Sequence, residues 1–247
     1  MSPDGLAILD QLRAVEAERV LRAADPALQA RVDAVKHFQH ARFAKTYADL
    51  LAQPRYTRAA RFFLDELYGP HDFTQRDAQF ARIVPGLVRL FPHDIVTPVR
   101  ALGELHAMSE RLDTAMGRVL RDGELTAAAY VAAWQAVGEP AQRQRQIDLM
   151  LEVGRALERY TKNPFMRHSL RLMRGPAQAM GMGALQSFLE SGFDTFRDMR
   201  GAEPFLRIVG DREKALAEAL FAADAVALAT SPPPTDGRSG GLLGQLP

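Results

Sequence analysis

Three side chains that can hold or move protons, His106, Ser109 and Asp113, stand at i, i+3 and i+7 in one helical stretch. The apolar residues of that stretch, Ile95, Val99, Leu102, Leu112, Met116 and Leu120, fall on the same arc. The three polar side chains are therefore expected to point at the core from successive turns. A histidine and a carboxylate in a dry pocket can act as an acid–base pair or ligate a metal. The competing reading is a core histidine satisfied by a hydrogen-bond network. A serine triad is excluded. Residues at this spacing on one helix cannot align as nucleophile, base and orienter, and no nucleophile elbow is present.

A second interruption lies in 27–52, where Leu28, Val32, Val35, Phe43 and Leu50 form a stripe, with Gln39, Arg42 and Thr46 within or beside it. A buried arginine needs a carboxylate or several carbonyls. Glu66, on the flank of its own apolar arc beside Ala59 and Phe62, is the expected partner of Arg42. The pair is then structural, or Arg42 receives an anionic ligand. Arg42, Tyr47, Glu66, His106, Ser109 and Asp113 form a candidate polar pocket. If they converge, a cavity of roughly 300 Å³ or more is expected.

Arg155, Arg159, Lys162, Arg167, Arg171 and Arg174 form a basic run in which only Glu158 is acidic. Arg167, Arg171 and Arg174 share a helix face opposite Phe165, Leu172 and Met173, and with His168 they are a candidate anion-binding set. Such a face can bind phosphate or RNA, or it pairs with acids elsewhere, for which 190–224 is the expected counterpart. His37 and His40 have metal-like spacing with Asp33 but lie away from the apolar stripe, so no metal site is expected there. The GxG of Met180-Gly181-Met182-Gly183 follows no strand and supports no dinucleotide fold, and Gly181 and Gly192 read as close helix approaches. There is no Walker A, HExxH or Glu-x-x-His pattern, and no cofactor is indicated.

The elements that must position these residues are helices. Ala and Leu dominate the apolar set, β-branched residues are few, and no run alternates with period 2. Pro and Gly punctuation divides the chain into 6–23, 27–52, 55–68, 75–90, 94–121, 125–137, 140–162, 165–173, 177–200 and 204–229. Asp25-Pro26 reads as a helix start, and Thr74-Gln75-Arg76-Asp77 reads as a capping box. Pro85 and Pro98 should break or kink their helices, and Gly175-Pro176 should end one. The expected fold is all-α: a single multi-helix bundle of about ten helices over 1–230, without β-sheet, followed by a disordered Pro/Gly-rich tail at 231–247.

The stretch Arg61-Phe62-Phe63-Leu64-Asp65-Glu66-Leu67-Tyr68-Gly69 resembles the signature of the FFLEELY-motif proteins, a bacterial family of unknown function. Asp65 stands where that motif has Glu. Arg42-Phe43, Tyr47, Asp49-Leu50-Leu51, Asp72-Phe73, Arg76-Asp77 and the run from Arg167 to Met173 look similar too. The resemblance spans roughly 30–225. It implies a helical bacterial protein and transfers no activity.

The totals narrow the function classes. Of 247 residues, 47% are hydrophobic and 25% charged, with a net charge of +1. That excludes a disordered chain and a globally basic nucleic-acid binder, so nucleic acid is not an expected partner. The zero cysteine count excludes thiolate metal sites and a cysteine nucleophile, and it suits a reducing, cytoplasmic setting. No signal peptide or membrane span is expected. With no catalytic motif, the leading expectation is a non-catalytic interaction or regulatory module that binds a protein partner or a second copy of itself. The alternative is a small-ligand binder or enzyme built on the polar pocket, and a third is anion binding on the basic face.

Overall fold

Side chains close the helix starts much as the sequence rules require. Asp25 accepts from the Leu28 amide at 3.0 Å with Pro26 in the first turn. Ser2, Thr126 and Asn163 cap in the same way. The computed structural model describes residues 2–67, 73–90, 93–222, 224–230, 243, 246 and 247. Twelve α-helices run through them: α1 Pro3–Ala23, α2 Pro26–Thr46, α3 Ala48–Ala52, α4 Thr57–Phe62, α5 Thr74–Leu90, α6 His93–Val119, α7 Ala127–Val137, α8 Pro140–Thr161, α9 Pro164–Ala179, α10 Gly183–Asp198, α11 Glu203–Phe221 and α12 Ala225–Thr230. A π-helical turn, Phe63–Leu67, continues α4. The described residues contain no strand, and the chain is an all-α bundle.

Helix α6 is the axis. Its 27 residues span about 40 Å at 1.5 Å per residue. Helices α1, α2, α5, α7 and α8 pack around it. Gly117 lets α2 approach closely, since a Cβ there would lie 2.6 Å from Val32. Three cores result. The largest joins Phe43, Leu50, Phe63, Phe196, Phe205 and Leu206. A second gathers Phe38, Met116, Tyr130, Trp134 and Leu220, and a small third holds Ile8, Val84 and Val96.

Of the break or kink expected at Pro98 and Pro85, no break occurs, and the end expected at Gly175-Pro176 is absent. Pro98 lies inside α6 without ending it. The carbonyl it leaves without an amide, that of Asp94, accepts instead from the Tyr160 hydroxyl. Pro85 is likewise inside α5, and Gly175-Pro176 does not end α9, which runs to Ala179. Residues 171–176 are all exposed, so water can satisfy the Leu172 carbonyl there. Conversely, the stretch expected as one helix over 27–52 breaks at Tyr47, whose side chain is fully buried.

Gly192 is a close approach, with Phe62 3.2 Å from its virtual Cβ, whereas Gly181 has nothing within 4 Å and serves the α9–α10 turn at φ +68°. At the end of the tail expected to be disordered, Leu243 and Leu246 are buried in the second core, and the Leu246 carbonyl accepts from Lys45 at 3.1 Å. The other residues of 231–245, and Tyr68 and Gly69 of the motif, lie outside the described residues. No described helix is long and apolar enough to cross a membrane.

Candidate functional site

One side of α6 carries Val99, Leu102, His106, Ser109, Glu110 and Asp113 along a cavity of about 220 Å³, smaller than the sequence reading anticipated. Fourteen positions separate Val99 from Asp113, about 21 Å of helix. The lining changes character over that length. At the Val99 end it is Leu12, Phe80, Ile83, Leu87 and Leu102. At the Asp113 end Lys36, Gln39 and Arg42 of α2, Tyr130 and Trp134 of α7, Arg143 of α8 and Glu213 of α11 stand among Ile147, Met150, Leu216, Ala217 and Leu220. Leu189 of α10 also lines it and is 38% exposed, so the cavity reaches the surface there.

Midway, His106 Nε2 lies 2.8 Å from Asp77 Oδ2. An ionised carboxylate only accepts, so Nε2 carries the hydrogen of this bond. Asp77 also accepts from Arg19 at 2.5 Å, and Arg76 Nε is 3.5 Å from its other oxygen. Burial pushes the Asp77 carboxyl up, but the bonds from His106 and Arg19 and the charges of His106 and Arg76 outweigh it and hold it below the usual range. Ser109 faces no base: its hydroxyl donates to the Leu105 carbonyl at 2.9 Å and accepts from Gln146 at 2.7 Å.

The polar end holds two buried ion clusters and one singular carboxyl. Glu110 accepts from Arg22 at 2.6 Å and Lys36 at 2.7 Å. Burial pushes it up, and Lys36 and Arg22 bring it back below its usual value. Glu213 accepts from Arg42 at 2.5 Å and from the Tyr47 hydroxyl at 2.7 Å. Asp113 has one such bond, from Gln39 Nε2 to Oδ1 at 3.0 Å, and its other oxygen has no hydrogen-bond partner among the described residues. Burial, with Glu110 nearby, raises the Asp113 carboxyl against the pull of Lys36 and Arg143. Arg143 lies 3.8 Å over the Trp134 ring.

Of the residues expected to form a pocket, Arg42, Glu66, His106, Ser109 and Asp113 line this cavity. Tyr47 stands behind it, bonded to Glu213 and, at 3.3 Å, to the Val209 carbonyl. The expected pairing is corrected: Arg42 binds Glu213, while Glu66 is 3.7 Å from Arg76. Glu213 lies 171 residues from Arg42 in sequence, which no local pattern reveals. Asp77, expected as the end of a capping box, is the carboxylate on His106.

Sequence reasoning also missed Arg22, Arg143 and Glu213, which are 3%, 3% and 7% exposed. A signal existed. Arg22 continues the buried seven-residue spacing of Ile8 and Val15, and Glu213 sits between Val209 and Leu216 on one stripe.

The basic set of α9 is divided. Arg167 pairs with Asp194 at 3.2 Å, and Arg174 Nε donates to Glu190 at 3.1 Å, both acids being on α10. His168 and Arg171 are exposed. The apolar side of the same helix faces outward, with Phe165 70% and Leu172 64% exposed. Among the described residues, no group of three or more His, Asp or Glu is placed to hold a metal ion.

No curated protein and no solved structure matches the chain. A family model described as "Domain of unknown function (DUF8198)" matches residues 18–227, and the chain belongs to that family.

Proposed function

We propose that the protein binds a small amphipathic ligand in the cavity along α6. The observation that carries this reading is that the charged groups of the lining gather from His106 to Asp113, while apolar side chains line the Val99 end. A packed core would close the apolar end, and a purely structural ion network would need no adjoining space. The sequence reading ranked an interaction module first. That five of the six candidate pocket residues line one cavity supports placing ligand binding ahead of it.

The only tryptophan, Trp134, lines the polar end and reports on occupancy. Medium-chain amphiphiles with carboxylate, phosphate, alcohol or amine heads are titrated while Trp134 emission is followed. At least one should change the emission saturably at one molecule per chain. If none does, the reading fails.

A second reading, docking of a protein partner or a second copy, is favoured by the outward apolar face of α9, with Phe165, Leu172 and Met173 exposed. Light scattering after gel filtration tests the second copy, with Leu172→Glu as the variant expected to abolish it. The proposal includes a bacterial, cytoplasmic setting. It is supported by the likeness of 61–69 to the FFLEELY signature and by a composition without cysteine.

A further inference from the structure

Helix α9 separates its apolar and polar residues more sharply than the other long helices do. Phe165, Leu172 and Pro176 stand at i, i+7 and i+11, a stripe about 16 Å long with Met173 beside it. Phe165, Leu172 and Met173 are exposed, as is Met180 just beyond the helix. Behind the stripe α9 packs mainly on α10 and less on α8, so the apolar side chains project from the fold.

Charge indicates what covers them. Helix α9 holds His168 and three arginines and no acidic residue. The acids that pair with this region are set back from solvent. The Arg174 side chain is 56% exposed and that of its Glu190 partner 18%, and Lys162 is 71% exposed against 14% for Glu158. Arg171, exposed beside Leu172, pairs with no carboxylate among the described residues. The layer that meets solvent around the stripe is therefore cationic.

A second copy in a symmetric contact would set that layer against its own image, where like charges oppose each other. An anionic bilayer suits it better. Apolar side chains of a helix lying in the interface sink about 5–10 Å, while basic ones stay among the head groups. The place in the fold agrees. Leu189, where the α6 cavity reaches the surface, is one turn from Gln186, whose amide donates to the Leu170 carbonyl of α9 at 2.7 Å. The cavity thus opens beside this helix.

We propose that α9 lies flat on an anionic membrane surface, with Phe165, Leu172 and Met173 among the acyl chains and Arg171 and Arg174 at the lipid phosphates. The contact is peripheral and reversible. It goes beyond ligand binding and does not depend on it, so a cavity that takes up no ligand would leave it unchanged.

Flotation of the full chain with vesicles tests this, phosphatidylcholine alone being compared with phosphatidylcholine mixed with phosphatidylglycerol. The mixed vesicles should bind tighter by about tenfold or more, and high salt should remove most of that difference. Arg171→Gln should weaken binding to them about fivefold, and Leu172→Gln about tenfold. Both side chains are exposed, so thermal unfolding of the two variants should match the parent.

Equal binding to both vesicle types overturns the proposal. Flotation that survives both substitutions also overturns it, by placing the contact elsewhere on the chain. No flotation with either vesicle does the same and leaves the face to a protein. That protein is a second copy if light scattering shows a dimer that Leu172→Glu abolishes, and an acidic partner if the chain is a monomer.

Discussion

Replacing Glu213 with leucine removes the carboxylate that faces Arg42, and the structure sets the size of the loss. The two side chains are 7% and 8% exposed, and their charged atoms lie 2.5 Å apart. Arg42 would keep its charge in a site that water barely reaches. Breaking such a buried pair from one side costs about 3–5 kcal/mol, a large share of the roughly 5–15 kcal/mol that stabilises a domain. In a chain of this size that lowers Tm by about 6–20 °C.

The double variant Arg42→Met/Glu213→Leu removes both charges and fills the space. It should lie within about 1–2 kcal/mol of the parent, the remainder coming from the Tyr47 hydroxyl. That hydroxyl loses its 2.7 Å acceptor but keeps the Val209 carbonyl at 3.3 Å. Urea denaturation followed by far-UV circular dichroism gives all the stabilities. If Glu213→Leu costs less than about 1 kcal/mol, or if the double variant costs the sum of the two single ones, Glu213 is not what holds Arg42 in the core.

Asp113→Asn should be at least as stable as the parent near neutral pH, by thermal unfolding. The folded carboxyl sits above its ordinary 3.8, so the native state binds the extra proton and the parent loses stability as pH rises from there through the folded value. The advantage of the variant should therefore shrink towards about pH 4, and a gap that widens on acidification would refute it. Asp77 and Glu110 have the opposite sign. Held below 3.8 and 4.5, they contribute fully above those values and lose that contribution as pH falls through their folded ones. Asp77→Asn/Glu110→Gln should thus show a flatter fall in urea midpoint below about pH 4 than the parent. Gly117→Ala should cost about 1–3 kcal/mol, since its Cβ would meet Val32 at 2.6 Å and the Val32 amide nitrogen at 3.4 Å. Gly86→Ala, in α5 with nothing within 4 Å, should gain up to about 1 kcal/mol. Equal effects at the two glycines would contradict the packing described.

The helices were legible because apolar period and capping chemistry are local. Asp25-Pro26 and the α6 stripe needed no tertiary information. The helix end expected at Gly175-Pro176 is absent and the choice between break and kink at Pro98 was open, because whether a proline breaks a helix depends on what takes up the freed carbonyl. At Pro98 that is Tyr160, more than sixty residues away. The site divides in the same way. His106, Ser109 and Asp113 were visible as polar interruptions of one stripe, and they do line the cavity. Their partners were not visible. Gln39 is 74 residues from Asp113 and Asp77 is 29 from His106, so those distances are settled only when helices pack. Glu66 is the partner the sequence suggests for Arg42 because it flanks the apolar arc of its own helix. The π turn at Phe63–Leu67, which the apolar pattern does not signal, carries the Glu66 side chain alongside Arg76.

The central claim is that the cavity along α6 holds a small molecule. Native mass spectrometry of the protein purified from its own host, set beside the mass of the same sample denatured, tests it most directly. The account predicts a native mass in excess of the chain by one small molecule, lost on denaturation and recovered in the extract as a molecule with an apolar body and a polar head. A native mass equal to that of the bare chain, from protein that also fails to take up any amphiphile added back, would contradict it.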